Sequence, residues 1–130
     1  MVVDASAILA IVLKEDDAAQ FRSILGRVRG SVIGAVNYWE VLVRAQVMRG
    51  AAGIAAVESV MSELNIEIAT VGAETARDAA FVFGRFGRNT PAKLNLGDCF
   101  AYALAAKEGH GLLFKGDDFT KTDIKNARAG

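Results

Sequence analysis

Met1-Val2-Val3-Asp4-Ala5-Ser6-Ala7-Ile8-Leu9-Ala10-Ile11-Val12-Leu13 opens the chain. Met1–Val3 is β-prone and is cut off by Asp4. Ala5–Leu13 then has the character of a buried helix or the beginning of one. In open parallel sheets the strand C-termini and the loops after them form the natural binding crevice. An acid that ends the first strand is therefore already a candidate for that crevice.

Working outward, Lys14–Asp17 breaks the apolar run with charge. Asp17–Arg29 predicts a second helix, with Ala18, Phe21, Ile24, Leu25 and Val28 at helical spacing and Gly30 closing it. Ser31–Ala35 is a brief strand. Val36–Arg49 predicts a helix apolar nearly all the way round (Trp39, Val41, Leu42, Val43, Val47, Met48), which implies burial on several sides. Gly50 ends it, and Ala51–Leu64 gives another helix, weakened by Gly53. Ile66–Val71 alternates in strand fashion, Glu74–Phe86 is helical, and Gly87–Asn95, with the only proline, is a loop. Gly97–Glu108 is a helix ending in Gly109-His110-Gly111, and Leu112–Phe114 is the last strand. Strands alternating with helices predict an α/β layer fold with a mainly parallel sheet. No repeat, linker or low-complexity segment interrupts the chain, and the pattern does not reveal the strand order.

With 130 residues the chain is expected to form one domain, residues 1–130. Hydrophobic residues make up 52% and mean hydropathy is +0.28, so part of the apolar surface is expected to meet a partner chain. Lys and Arg (15) balance Asp and Glu (15), so no global basic field announces nucleic acid, although segregated charge could still serve it. A single cysteine excludes an internal disulfide and fits a reducing cytoplasm. The apolar run Ala7–Leu13 is far short of the roughly 20 residues of a membrane helix. Asp4 stands where a signal peptide would carry basic residues. The expectation is a cytoplasmic protein with no membrane association.

Acids recur at the expected crevice: Asp4, Glu40, Asp98 and the pair Asp117/Asp118. Gathered at one edge they would repel one another unless a cation neutralised them. Hard ions such as Mg²⁺ take oxygen ligands from one or two carboxylates with water and substrate phosphate. Each acid also has a structural reading. Asp4 can cap the helix starting at Ala5. A haloacid dehalogenase-type phosphotransferase would want a second acid two residues after Asp4, where this chain has Ser6. That serine can hydrogen-bond a ligand water or the Asp4 carboxylate. Glu40 can pair with Arg44 four residues on, yet Asn37, Glu40 and Arg44 share one polar stripe on an apolar helix, as a crevice wall would. Asp98 follows Asn95 by three, a capping arrangement, and a carboxylate in a first helical turn is kept ionised by the helix dipole. Tyr102, one turn further, could line a substrate path. Asp117 and Asp118 can be turn residues after Gly116. Cys99 reads as a small core residue and His110, between glycines, as a solvated turn residue. No nucleophile–histidine spacing and no phosphate-cradling glycine motif competes.

Taken together, Met1-Val2-Val3-Asp4-Ala5-Ser6-Ala7, Asn37 with Glu40, Pro91-Ala92-Lys93-Leu94-Asn95-Leu96-Gly97-Asp98-Cys99-Phe100-Ala101-Tyr102-Ala103 and Leu112-Leu113-Phe114-Lys115-Gly116-Asp117-Asp118-Phe119 resemble a PIN-domain ribonuclease. The resemblance is closer still to the VapC-type toxins of bacterial toxin–antitoxin pairs. It implies a single PIN-like α/β/α domain with Asp4 and Asp98 as central metal ligands and Glu40 as the third acid. Asp117 and Asp118 both compete for the fourth position, and Ser6 and Asn37 are auxiliary. It also implies a Mg²⁺- or Mn²⁺-dependent endoribonuclease acting on RNA, a homodimer, and inhibition by a small VapB-like antitoxin lying over the active site. Arg44, Lys93 and Lys115 are candidates for phosphate contacts. Two rivals stand: a catalytically silent PIN-like module that binds an antitoxin or RNA, and a phosphatase of small esters, which the missing second acid after Asp4 disfavours. The short tail, residues 126–130, leaves little room for a final strand.

Overall fold

The computed structural model describes residues 1–128; the last two residues of the tail lie outside them. In chain order the elements are β1 (Val2–Val3), α1 (Ala5–Val12), α2 (Ala18–Arg27), β2 (Val32–Gly34), α3 (Ala35–Glu63), β3 (Glu67–Ala69), α4 (Ala73–Phe86), α5 (Leu96–Glu108) and β4 (Leu112–Leu113). The strands form one sheet in the order β3-β2-β1-β4, parallel throughout. Val2 registers with Val32 on one side and with Leu112 on the other, so β1 is central. The chain therefore builds outward from β1 to β3, then crosses back to place β4 on the opposite flank. In open α/β sheets that reversal is where ligands bind, beyond the strand C-termini. Asp4 leaves β1 at this point and the 115–118 loop leaves β4 beside it.

Successive side chains of a strand face opposite ways, and the sheet divides two cores accordingly. Val3, Ile33 and Leu113 face α1, α2 and the Val41, Ala45 and Val57 stripe of α3. Val2 and Leu112 face Ala79 and Val82 of α4 and Ala101, Tyr102 and Leu104 of α5. Burial on both faces explains why β1, β2 and β4 consist almost wholly of valine, isoleucine and leucine, whereas edge strand β3, Glu67–Ala69, is largely exposed and carries a charge. Beyond β4, Leu112 makes a single parallel bridge with Asn126, and Arg128 ties that segment to Gln20, to Asp17 and over the Phe21 ring. Among the described residues, the tail thus covers the sheet edge with one bridge rather than a strand. No described helix is long and apolar enough to cross a membrane.

The long helix departs from expectation on its outer side. Its first half buries only the stripe Asn37, Val41 and Ala45, four residues apart, while Trp39, Val47 and Met48 are 63%, 80% and 65% exposed. Burial on several sides is therefore not observed. Apolar residues all round a helix state what it tolerates burying; only the layers packed on it decide what is buried. Gly50 interrupts the helix, with φ 58° and ψ −143°, as the sequence suggested. Gly53 has a stronger reason than weakness, because a Cβ there would overlap the Ala45 carbonyl across the kink. Backbone cannot yield as a side-chain tip can. Gly53→Ala is expected to cost about 1–3 kcal/mol through overpacking, read as a lower midpoint in urea denaturation.

Candidate active site

Asp4 is the N-cap of α1. Its Oδ2 accepts from the Ser6 backbone N–H at 3.1 Å and from the Ser6 hydroxyl at 2.6 Å. Ser6 Oγ in turn accepts the Lys115 backbone N–H at 2.9 Å, so its own proton is committed to Asp4. With the 2.9 Å bond from Asp4 N–H to the Leu113 carbonyl, this ties the β1 end to the loop after β4. Ser6 thus fixes one carboxylate oxygen of Asp4, a residue that lines the crevice pocket.

Asp98 is delivered by the capping box anticipated from Asn95. The Asn95 side chain accepts the Asp98 N–H at 2.8 Å, and Asp98 Oδ2 accepts the Asn95 N–H at 3.1 Å. Glu40 comes from α3. Fully buried Asn37 donates to Glu40 Oε1 at 2.8 Å and to the Gly97 carbonyl at 3.0 Å, locking α3 against the start of α5. Asp118 reaches the same place from the loop after β4. These four acids line one pocket of about 300 Å³ together with Ser6, Arg44, Asn95 and Lys115, and with a fifth acid, Glu15, which is paired with Lys115.

The remaining expected residues are placed differently. Asp117 is not among the lining residues of that pocket; its carbonyl accepts Thr120 N–H and Oγ1 in the turn. Arg44 lines the pocket but forms no ion pair with Glu40 among the described residues. Lys115 is held by Glu15 at 2.8 Å and Asp17 at 3.1 Å, which correspondingly raise its pKa, so its ammonium is committed within the protein. Tyr102 does not line the pocket. It is buried on the other side of the sheet, where its hydroxyl meets Asp123. Cys99 is a buried core residue and His110 is exposed.

The electrostatics are those of carboxylates forced together. Burial raises the pKa of Asp98 to about 7 against the relief of its Asn95 hydrogen bond, with Asp118, Asp4 and Glu40 adding to the rise. Burial likewise raises Asp4, opposed by Ser6 and reinforced by Asp118. Glu40 is raised by burial and by Asp4, and lowered by Asn37 and Arg44. Mutual repulsion at a site that the fold goes to lengths to pin in place is what a cation would relieve. An all-oxygen donor set suits a hard divalent ion. Among the described residues no group of three or more His, Cys, Asp and Glu side chains is already arranged to hold a metal ion.

A PIN domain family model matches residues 1–125. The chain belongs to the PIN domain family. Among curated relatives, Ribonuclease VapC42 of Mycobacterium tuberculosis is 41% identical over 129 residues, covering 98% of each chain. Ribonuclease VapC28 of the same organism is 36% identical over 129 residues, covering 98% of this chain and 97% of its own. The crystal structure of M. tuberculosis VapC20, described as a sarcin-ricin loop cleaving toxin, superposes with a TM-score of 0.78 at 13% identity, covering 95% of each chain. At that identity the superposition speaks to the fold alone, and it agrees with the α/β/α architecture described above.

One residue of this PIN domain chain emerges only from the structure. A Cβ on Gly97 would fall inside the Glu40 carboxylate. The signal in the sequence was faint: a glycine in the first turn of a helix, where it costs up to about 1 kcal/mol against alanine. Gly97→Ala should recover part of that helix propensity while pushing aside only a side-chain tip. The expected result is an almost unchanged melting temperature with a fall in RNA cleavage. A loss of kcat/KM at constant Tm would show that Glu40 must occupy this spot; unchanged kcat/KM would remove Glu40 from the machinery.

Proposed function

We propose that the chain is a divalent-metal-dependent endoribonuclease toxin, a single PIN-like nuclease domain over residues 1–130. The observation that carries the reading is the convergence of Asp4, Glu40, Asp98 and Asp118 at the sheet's reversal point, each from a different segment of the chain. The ribonuclease names of relatives that match nearly the whole chain support the reaction class. Asp4, Glu40, Asp98 and Asp118 would hold one or two Mg²⁺ or Mn²⁺ ions. Such ions, when bound, activate water at neutral pH and neutralise charge on a scissile phosphodiester.

The chain's own residues do the positioning. Ser6 orients Asp4, Asn37 orients Glu40, and Asn95 orients Asp98. Arg44, outside any ion pair among the described residues, stands at the pocket wall where a phosphate oxygen would approach. Of the two adjacent acids, Asp118 takes the fourth position and Asp117 shapes the turn that presents it. The reading includes a VapB-like antitoxin covering the site, a homodimer that buries part of the exposed apolar surface, and a cytoplasmic location consistent with an unpaired buried cysteine.

A silent binding module is disfavoured, because all four acids are present and three of them, Asp4, Glu40 and Asp98, are each held by a supporting side chain. Incubation of the purified protein with single-stranded RNA and with a small chromogenic phosphate ester, each with Mn²⁺, separates the readings. RNA cleavage without ester hydrolysis supports the nuclease. Ester hydrolysis alone would make it a phosphatase, and RNA binding without cleavage would make it the silent module.

A further inference from the structure

The larger cavity of the molecule is not the acidic one. It occupies about 550 Å³ between α4, α5 and the 87–95 loop, within the range of about 300–1,000 Å³ usual for small-ligand pockets. Its walls are apolar and include the rings of Phe83 and Phe100 and the exposed side chain of Leu96. Asn95 lines both this cavity and the acidic pocket, so the two adjoin at that residue. Among the described residues neither Phe83 nor Phe100 stacks on another aromatic ring. Phe83 is 47% exposed and rests against the bare α-carbon of Gly87, which holds the ring in place without covering it. Arg88 and Lys93 line the same cavity and make no ion pair among the described residues.

These features complement the acidic pocket. Four carboxylates repel a polyanion, so affinity for RNA must come from outside them. Single-stranded RNA is gripped by stacking its splayed bases on aromatic faces while cations meet its backbone. Here the half-exposed ring of Phe83, the partly buried ring of Phe100 and two unpaired cations line a cavity that meets the carboxylate pocket at Asn95. We propose that the cavity lined by Phe83 and Phe100 is a nucleobase subsite that receives a base next to the phosphodiester presented to the acids, with Arg88 and Lys93 meeting the adjoining phosphates. The proposal rests on the ribonuclease reading. It makes this cavity a determinant of where the strand is cut, since the base it accepts sets the register of the chain over the acids.

Phe83 belongs to neither core, so its truncation leaves the fold intact. Binding is measured by fluorescence anisotropy in the Asp98→Asn background, with a labelled single-stranded RNA and with the same strand made of abasic residues. Phe83→Ala should weaken the intact RNA about tenfold or more, as for the loss of one stacking partner, and leave the abasic strand unaffected. Phe83→Trp should restore binding. Arg88→Ala with Lys93→Ala should weaken both strands and flatten the salt dependence by about one unit of slope per lost phosphate contact. Equal affinity of Phe83→Ala and its parent for intact RNA, while the wild-type protein cleaves RNA, overturns the subsite and leaves the nuclease standing. Weakened self-association of Phe83→Ala in sedimentation, with RNA affinity unchanged, also overturns it and makes the cavity an interface between copies. A wild-type protein that neither binds nor cleaves RNA removes both readings.

Discussion

Asp98→Asn is expected to silence RNA cleavage and, in metal-free buffer, to make the protein more stable at neutral pH. The two effects have one cause. Burial and the neighbouring acids lift the Asp98 pKa from 3.8 to about 7. Between those values the folded protein holds a proton that the unfolded chain releases. The stability tied to this carboxyl is complete below about pH 3.8 and is lost as pH rises through about 7. Asparagine cannot ionise, yet its side-chain oxygen can still accept the Asn95 N–H and preserve the capping box. The melting temperature of the metal-free wild type should therefore fall across that window more steeply than that of the variant, in thermal melts with EDTA. Cleavage should fall by more than about a hundredfold, since even the supporting partners of metal ligands are worth about 10–100-fold. A variant as active as the wild type would show that Asp98 is a helix cap alone, and one whose stability tracks pH identically would show that burial does not raise this carboxyl in the folded state.

The second large effect concerns Asp4, whose capping and ligand roles can be separated. A ligand at a hundred times its Kd stabilises the folded state by about 2.7 kcal/mol. Mn²⁺ should thus raise the wild-type melting temperature, and Asp4→Asn should abolish most of that rise. Asn is as good an N-cap as Asp, and burial raises the Asp4 pKa as it does that of Asp98, so the metal-free stability of this variant should hold or rise at neutral pH. Asp4→Ala should lose the metal response and a further ~1 kcal/mol from the missing cap. Calorimetric titration of Mn²⁺ into Asp4→Asn decides the matter directly: unchanged affinity would leave Asp4 as a cap that happens to face the crevice.

The parts of the site that the sequence disclosed are those built by local chemistry. Asp4 with Ser6 and Asn95 with Asp98 are two or three residues apart and hydrogen-bonded as that spacing suggested, while Asn37 and Glu40, expected only to share a polar stripe, are hydrogen-bonded too. The strand order was invisible because strands of two or three residues carry no pairing information; their partners are chosen by what the helices cover. Lys115 illustrates the same limit, since its partners Glu15 and Asp17 lie a hundred residues earlier. Asp117 and Asp118 were indistinguishable in a linear reading, because only the turn after Gly116, at φ 96°, determines which of two neighbours faces the pocket. Gly97 was missed for a related reason: the group it makes room for belongs to another helix. The exposed Trp39, Val47 and Met48 show the converse, an apolar pattern that the chain's own fold leaves uncovered.

Cleavage of total cellular RNA by the purified protein, with Mn²⁺, with EDTA and with Asp98→Asn in place of the wild type, tests the central claim most directly. The expected result is a small set of discrete products that appear with Mn²⁺ and vanish under both controls, with the cleaved ends identifying the RNA. Intact RNA from a folded, Mn²⁺-binding protein free of any inhibitor, or products that persist with EDTA or with Asp98→Asn, would contradict it.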